Sequence, residues 1–365
     1  YEPTHEREYF AIRNSAAMID VSPLFKYEIS GRDAARVVDR IITRDVGKCQ
    51  VGQVLYSPWC DEEGKVIDDG AVARLDQNHF RITAADPNLR WFQDVGYGYD
   101  AQVVDVTTDL AALALQGPKS RAMLEEVVSG IDFDRLNYFW LAHGQVSNFP
   151  LTVTRTGYTG DLGYELWVEP QHAEALWDRL IEVGNRYGVL PAGMAALDIA
   201  RIEAGLLLIE VDYVSSHHAR IESQKSSPFE LGLGWTVAPD SSNFIGQRAL
   251  RAEKAHGSQW AFIGMDIDWL DLERLYDKVN LPPQVTGRAS RDSVPLYKNG
   301  KQVGQITSRT FSPILKKYIG LGSVLREHGS VGSQLEIEIT VEYSRERGKA
   351  TVVKTPFFDP ERKKG

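Results

Sequence analysis

Along the first hundred residues the apolar positions switch between two periods. Phe25–Ser30 alternates apolar and polar side chains, the period-two pattern of a half-buried strand, and stops at Gly31. Over residues 33–42 the spacing lengthens: Ala34, Val37, Val38 and Ile41 recur every three or four positions, which predicts an amphipathic helix. Residues 4–15 predict another helix, with Thr4 as a partial cap because Arg7 stands where a capping box has an acid or amide. Val54–Cys60 and residues 65–75 predict two strands joined by a turn at 61–64, followed by a strand at 80–84 and a short helix at 88–95. The same grammar then returns. A buried strand at 110–117, a helix from Pro118, strands at 151–156 and 164–168, and a helix at 172–187 with Ala175, Leu176, Leu180 and Val183 on one stripe complete a second set. Strand and helix units in this order predict two α+β modules rather than one doubly wound sheet. Beyond about residue 246, a single helix (Gln247–His256) gives way to short strands at 260–267, 294–297, 302–307, 318–324, 335–343 and 350–354. Gly-rich turns between them predict a small β-barrel or sandwich. The expected domains are therefore 1–245 and 246–365, the first divided into one module of 1–48 with 108–245 and a second of 49–107.

Composition narrows the function classes. Lys and Arg number 41 against 50 Asp and Glu, a net charge of −9, which argues against the basic face of a nucleic-acid binder. No run of about 18 apolar residues predicts a transmembrane helix. Cys49 and Cys60 are the only cysteines, too few for a disulfide scaffold or a thiolate-held metal centre, and the expected compartment is a reducing cytoplasm. The acidic stretch from Asp61 fails as a calcium loop, since Lys65 and Val66 fall where an oxygen ligand and a glycine are required; no metal site is expected. His217 and His218 are adjacent without an HExxH frame, and read as a loop. Gly157, Gly160 and Gly163 lie between two strands, so they mark tight backbone turning rather than a phosphate cradle. The chain contains no GxSxG elbow.

A set of segments carries more information together than singly: Ile19-Asp-Val-Ser22, Gly64-Lys-Val-Ile-Asp-Asp69, Leu113-Ala-Leu-Gln-Gly-Pro118, residues 155–165, Arg201-Ile-Glu-Ala-Gly205, Leu231-Gly-Leu-Gly-Trp235, Phe244-Ile-Gly246, residues 307–313 and Val353-Lys-Thr-Pro-Phe357. In this order, over nearly the whole chain, they resemble the glycine cleavage T-protein (aminomethyltransferase) family and its folate-dependent demethylase relatives. The resemblance implies an α+β, three-part cloverleaf. Two ferredoxin-like α+β modules and a C-terminal β-barrel would surround a central tetrahydrofolate cavity. It assigns Glu165 to the pterin, whose neighbouring N–H groups a carboxylate accepts in bidentate fashion, and places Tyr158 against the folate. It puts Asp69 near the reacting nitrogens as the catalytic acid or base, with Tyr56 beside it; by strand alternation Asp68 faces the other way. Thr83 and Arg201 would also contact the cofactor, a structural ion pair being the competing role for Arg201. Arg309, Lys316, Lys317 and Arg362 are candidates for the anionic folate tail.

Departures from the family pattern cluster on the donor side. Residues 82–87 replace an Asn-Ala-rich segment, Leu208-Ile-Glu210 replaces Leu-Tyr-Gly, Pro23 stands where T-proteins commonly have His, and residues 212–226 and 268–293 are extended. They tilt the implied donor toward a small N-, O- or S-methylated compound. The alternative is an aminomethyl group on a lipoyl carrier protein. A non-catalytic folate binder of iron–sulfur assembly is the second alternative, although its motif cysteine has no counterpart in Ser242-Asn-Phe-Ile-Gly-Gln247. A folate module split from a flavin-dependent amine oxidase or dehydrogenase is a further one, for which the chain lacks a dinucleotide fingerprint.

Overall fold

The computed structural model of the chain describes residues 4–240 and 243–364. Ser242, in the segment compared with the cysteine motif, and Gly365 of the C-terminal tail lie outside the described residues. In chain order the first part carries α1 (His5–Asn14), β1 (Ala16–Asp20), β2 (Phe25–Ser30), α2 (Ala34–Ile41), β3 (Val54–Cys60), β4 (Val66–Asp76), β5 (His79–Ala84), α3 (Leu89–Val95), β6 (Gln102–Asp105) and β7 (Ala111–Gln116). It continues through α4 (Ser120–Val127), β8 (Leu141–Val146), β9 (Phe149–Thr154), β10 (Gly163–Val168), α5 (Ala173–Gly184), β11 (Val189–Pro191), α6 (Met194–Glu203) and α7 (Gln247–His256). The last part comprises β12 (Trp260–Ile267), α8 (Trp269–Asp277), β13 (Val294–Lys298), β14 (Lys301–Ser312), β15 (Lys317–Leu325), β16 (Gln334–Val341) and β17 (Ser344–Val353).

These strands form two sheets, of order β11-β1-β7-β10-β9-β8 and β3-β4-β5-β2-β6, and a closed barrel β12-β15-β14-β13-β16-β17. The architecture is thus the α+β arrangement of two modules and a C-terminal barrel that the sequence predicts. One assignment differs. β2 pairs with β5 and β6, so Phe25–Ser30 and the helix after it belong with the second sheet and not with residues 1–48 of the first module. Its alternating pattern fits an inner strand of either sheet, and only the long-range pairing decides. Helix α8 lies within the extension at 268–293, where its N-terminal Asp268 carboxylate accepts from the Asp271 amide.

Side-chain alternation sorts the residues of each sheet onto two faces. In the first sheet Leu113 and Leu115 join the core under α4 and α5, while Ala114 faces the other way among residues of α1 and α6. Glu165 and Trp167 sit opposite Ala114 and Ala112 on the neighbouring strand. In the second sheet Tyr27, Ile29, Leu55, Val72, Phe80 and Ile82 pack on α2 and α3. Their neighbours Lys26, Glu28, Tyr56, Asp69, Ala71, Arg81 and Thr83 therefore share the opposite face. These two faces meet where Val54 and Ala73 pack on Leu141 and where Arg81 stacks on Trp167 at 4.1 Å.

Candidate functional site

Asp69 stands on β4 at the face that meets the first sheet. Its Oδ2 accepts a 2.7 Å hydrogen bond from the Tyr56 hydroxyl, and its Oδ1 accepts one from the Tyr213 hydroxyl. Burial raises its pKa, and the two phenol donors, which favour the carboxylate, hold it down. Gly70 follows because a Cβ there would come within 1.9 Å of the Thr83 carbonyl oxygen. Asp68 points to the other face, as alternation requires: its carboxylate accepts from the Asn88 amide at 3.0 Å, the Asp86 N–H at 3.1 Å and the Asp69 N–H at 2.7 Å. Burial, then the neighbouring Asp69 charge, pushes Asp68 up to about 8 against those donors.

Glu165 lies on the facing sheet. Both of its hydroxyl partners, Thr156 at 2.6 Å and Thr154 at 3.3 Å, donate to Oε2; among the described residues none donates to Oε1. Burial raises its pKa, while the Thr156 and Thr154 hydroxyls and the Arg81 charge oppose that rise. Trp167 donates to the same Thr154 oxygen at 3.1 Å, tying Glu165 and the Arg81 platform into one cluster. Thr83 stands on β5 opposite Ala71 and Lys26. The Lys26 ammonium is spent on the carbonyls of Ser22, Leu24 and Thr107. Tyr158 donates to the Leu207 carbonyl, and burial raises its pKa. Tyr56, Asp69, Tyr158 and Glu165 each retain some accessible surface although burial dominates their titration. These side chains are deep yet still partly accessible.

Arg201 departs from the expectation that it contacts the cofactor. It is fully buried, and its guanidinium donates to Asp198 at 2.8 Å, Asp212 at 2.5 Å, Ser308 at 2.7 Å and the Leu206 carbonyl at 3.3 Å. Asp212 also accepts from Thr307 at 2.6 Å, Ser308 at 2.7 Å and the Leu208 amide at 2.9 Å. This network fastens the loop bearing Leu207 and Tyr213 to the barrel. The tail candidates are also largely engaged. Arg362 makes a two-pronged pair with Asp161 at 2.7 and 2.8 Å, its side chain remaining 40% exposed. Lys317 pairs with Asp266 at 2.5 Å, and Arg309 donates to the Asp292 carbonyl at 2.6 Å and to the Tyr318 hydroxyl at 3.1 Å.

The glycine-rich hairpin has a packing reason. A Cβ at Gly157 or Gly163 would lie 2.0 or 2.1 Å from the Gln116 Oε1, so both are glycine because Gln116 passes between them; Gly160 alone of the three has a left-handed φ, +71°. The 61–64 turn is closed by the Asp61 carboxylate, which accepts from the Glu63 and Lys65 amides. His218 Nδ1 lies 3.1 Å from a Glu210 carboxylate oxygen and 3.5 Å from one of Asp86, a polar cluster at the surface.

Tyr213, Thr154, Trp167 and Arg81 complete the site without having been singled out in the sequence. Arg81 carries a local signal, being two residues before Thr83 on one strand face. Tyr213 carries none, since its loop has no periodicity. Among the described residues, no helix is long and apolar enough to cross a membrane.

Comparison with known proteins agrees with this architecture. The family model described as the GCVT N-terminal domain matches residues 1–241, and the glycine cleavage T-protein C-terminal barrel domain matches residues 279–359. An aminomethyltransferase from Desulfitobacterium hafniense (strain DSM 10664 / DCB-2) is 34% identical over 347 residues, covering 94% of this chain and 86% of that protein. A trimethylamine-oxide aldolase from Ruegeria pomeroyi is 35% identical over 367 residues, 97% of this chain but 43% of that protein. The crystal structure of glycine cleavage system aminomethyltransferase T from Bartonella henselae shares the fold, with a TM-score of 0.82 at 23% identity over 98% of this chain and 91% of that one. The chain therefore belongs to the glycine cleavage T-protein (aminomethyltransferase) family of transferase enzymes.

Proposed function

We propose that this protein is a tetrahydrofolate-dependent one-carbon transferase that takes a methyl group from a small N-, O- or S-methylated donor. The observation that carries the reading is Asp69, held between two phenols on one sheet face, with Glu165 on the facing sheet offering an oxygen to a ligand. The residues fit a reduced folate: Glu165 Oε1 is an acceptor without a donor among the described residues, and Tyr56, Asp69 and Tyr158 keep some accessible surface. Tetrahydrofolate, when bound, supplies the nitrogen that accepts the one-carbon unit. Glu165 would hold the pterin N–H groups, with Tyr56, Tyr158 and Thr83 along its sides. Asp69 would serve as the base at the reacting centre, its charge restrained by the Tyr56 and Tyr213 hydroxyls. Arg201 would act from behind, keeping Tyr213 and Leu207 in place. The 1–245 and 246–365 partition is part of the same proposal, with the second module extended to include β2.

The donor side favours a methylated cation. The Tyr56 ring stacks on Trp235 with centroids 6.1 Å apart, and Trp235 is 65% exposed. The Arg44 guanidinium already stands 5.5 Å over the Trp235 ring, so an onium group would lie against Tyr56 beside the carboxylate. The second reading, aminomethyl transfer from a lipoyl carrier protein, is favoured by the extent of similarity to the Desulfitobacterium aminomethyltransferase. Both cysteines are buried and unpaired, in keeping with work in a reducing cytoplasm. Incubation with tetrahydrofolate and a panel of methylated donors, with the folate product identified by mass spectrometry, tests the proposal. A 5-methyl product without any carrier is expected. A methylene product formed only with a lipoyl carrier selects the second reading, and no product under either condition refutes both.

A further inference from the structure

Arg81 is a buried charge whose hydrogen-bond donors find no acceptor among the described residues. The residue is 4% exposed, its guanidinium carbon stands 4.1 Å over the Trp167 ring, and no carboxylate or carbonyl of the described chain bonds the guanidinium. Desolvation lowers its pKa to about 10, opposed by Glu28 and Glu165, so it remains cationic at neutral pH. The side chain is nearly buried, yet its nitrogens are not sealed from the open side, so a ligand that reaches them can bring the acceptors they lack. The surroundings say which kind. Trp167, on which Arg81 lies, is two residues from Glu165 on the same strand face, and Thr154 bonds both. Glu165 offers the converse feature, an oxygen without a donor. Where the two sheets meet, the unspent donors of Arg81 on one sheet thus lie near the unspent acceptor of Glu165 on the other.

That pairing complements a heterocycle edge carrying N–H groups next to a carbonyl, as in a 2-amino-4-oxo pteridine. We propose that Arg81 donates to the 4-oxo oxygen of the pterin while Glu165 accepts from the adjacent N–H groups, so that together they select an oxo over an amino group at that position. The inference rests on the folate reading above. An amino group there would set N–H donors against guanidinium donors and leave both unsatisfied, a strong basis for rejection in a desolvated site.

Calorimetric titration of the whole protein with tetrahydrofolate and with its 4-amino analogue, tetrahydroaminopterin, tests this. The parent should prefer the 4-oxo ligand by roughly 10- to 100-fold, the worth of one hydrogen bond from a charged donor. In Arg81→Met that preference should fall by at least about tenfold, and Arg81→Lys, which keeps a cationic donor without the planar fork, should restore part of it. The ligand-free Arg81→Met protein should melt no lower than the parent, because the change removes a desolvated charge that has no hydrogen-bonded acceptor. An unchanged preference in Arg81→Met while tetrahydrofolate still binds overturns the assignment. So does a large fall in ligand-free melting temperature with the preference intact, which would make Arg81 structural. If the parent binds neither ligand, the folate reading itself fails and takes this inference with it.

Discussion

Replacing Tyr213 with Phe removes one of the two hydroxyls that hold Asp69, while leaving the ring in place. A hydrogen bond to a charged acceptor is worth about 1.5–3 kcal/mol, and about 1.4 kcal/mol corresponds to a tenfold change in a protonation equilibrium. Losing the Tyr213 donor should therefore add to the rise in the Asp69 pKa that burial already imposes. The ionised form is the one required of a base, so the acidic limb of the pH–rate profile should move to higher pH by roughly 1–2 pH units. On that limb, activity should fall about tenfold for each pH unit of acidification and recover toward the parent value in alkaline buffer. Tyr56→Phe should act in the same direction, since its hydroxyl bonds the other Asp69 oxygen. Asp68 is adjacent and is itself pushed up to about 8, so the two apparent values belong to the pair. Carbon-13 NMR of labelled aspartate follows the same titration without turnover. If neither variant moves the acidic limb, or if activity drops equally at every pH, the phenols do not tune Asp69 and the reasoning fails.

Glu165→Gln places an N–H group where the pterin offers N–H groups, and calorimetry should show tetrahydrofolate affinity falling about 10- to 100-fold; parent-like affinity would remove Glu165 from the pterin site. Asp212→Ala leaves the Arg201 charge buried without its main partner and should cost about 3–5 kcal/mol in denaturant unfolding; a cost below about 1 kcal/mol would mean the network is dispensable. Asp69→Asn should flatten the pH dependence of ligand-free stability. Asp69 has a folded-state pKa raised above 3.8, so its contribution is fully present below the unfolded value and is lost as pH rises through the folded one. A melting temperature that declines with pH as steeply in the variant as in the parent would contradict this.

Much of this molecule can be read along the chain. Period-two and period-3.6 patterns report which face of each element is apolar, a local property, and they place most of the strands, the helices α1, α2, α5 and α7, and the barrel. Alternation alone separates Asp69 from Asp68 and puts Thr83 on one face, and the motif resemblance picks out Glu165 without any coordinates. Other features depend on contacts between distant segments. β2 has a pattern that suits either sheet, and its place is set by hydrogen bonding to β5 and β6. Arg201 looks like a cavity residue in its motif, yet its donors are taken by Asp198, Asp212 and Ser308, the last 107 positions away. Tyr213 lies in a loop without periodicity and reaches Asp69 across 144 positions. Arg81 could be placed on a face from sequence, but its lack of an acceptor appears only when the opposing sheet is in position. Local patterning determined the elements and their inward faces, because burial repeats with the backbone geometry. Tertiary structure decided which charges are satisfied and which remain for a ligand, because that depends on partners far apart in the chain.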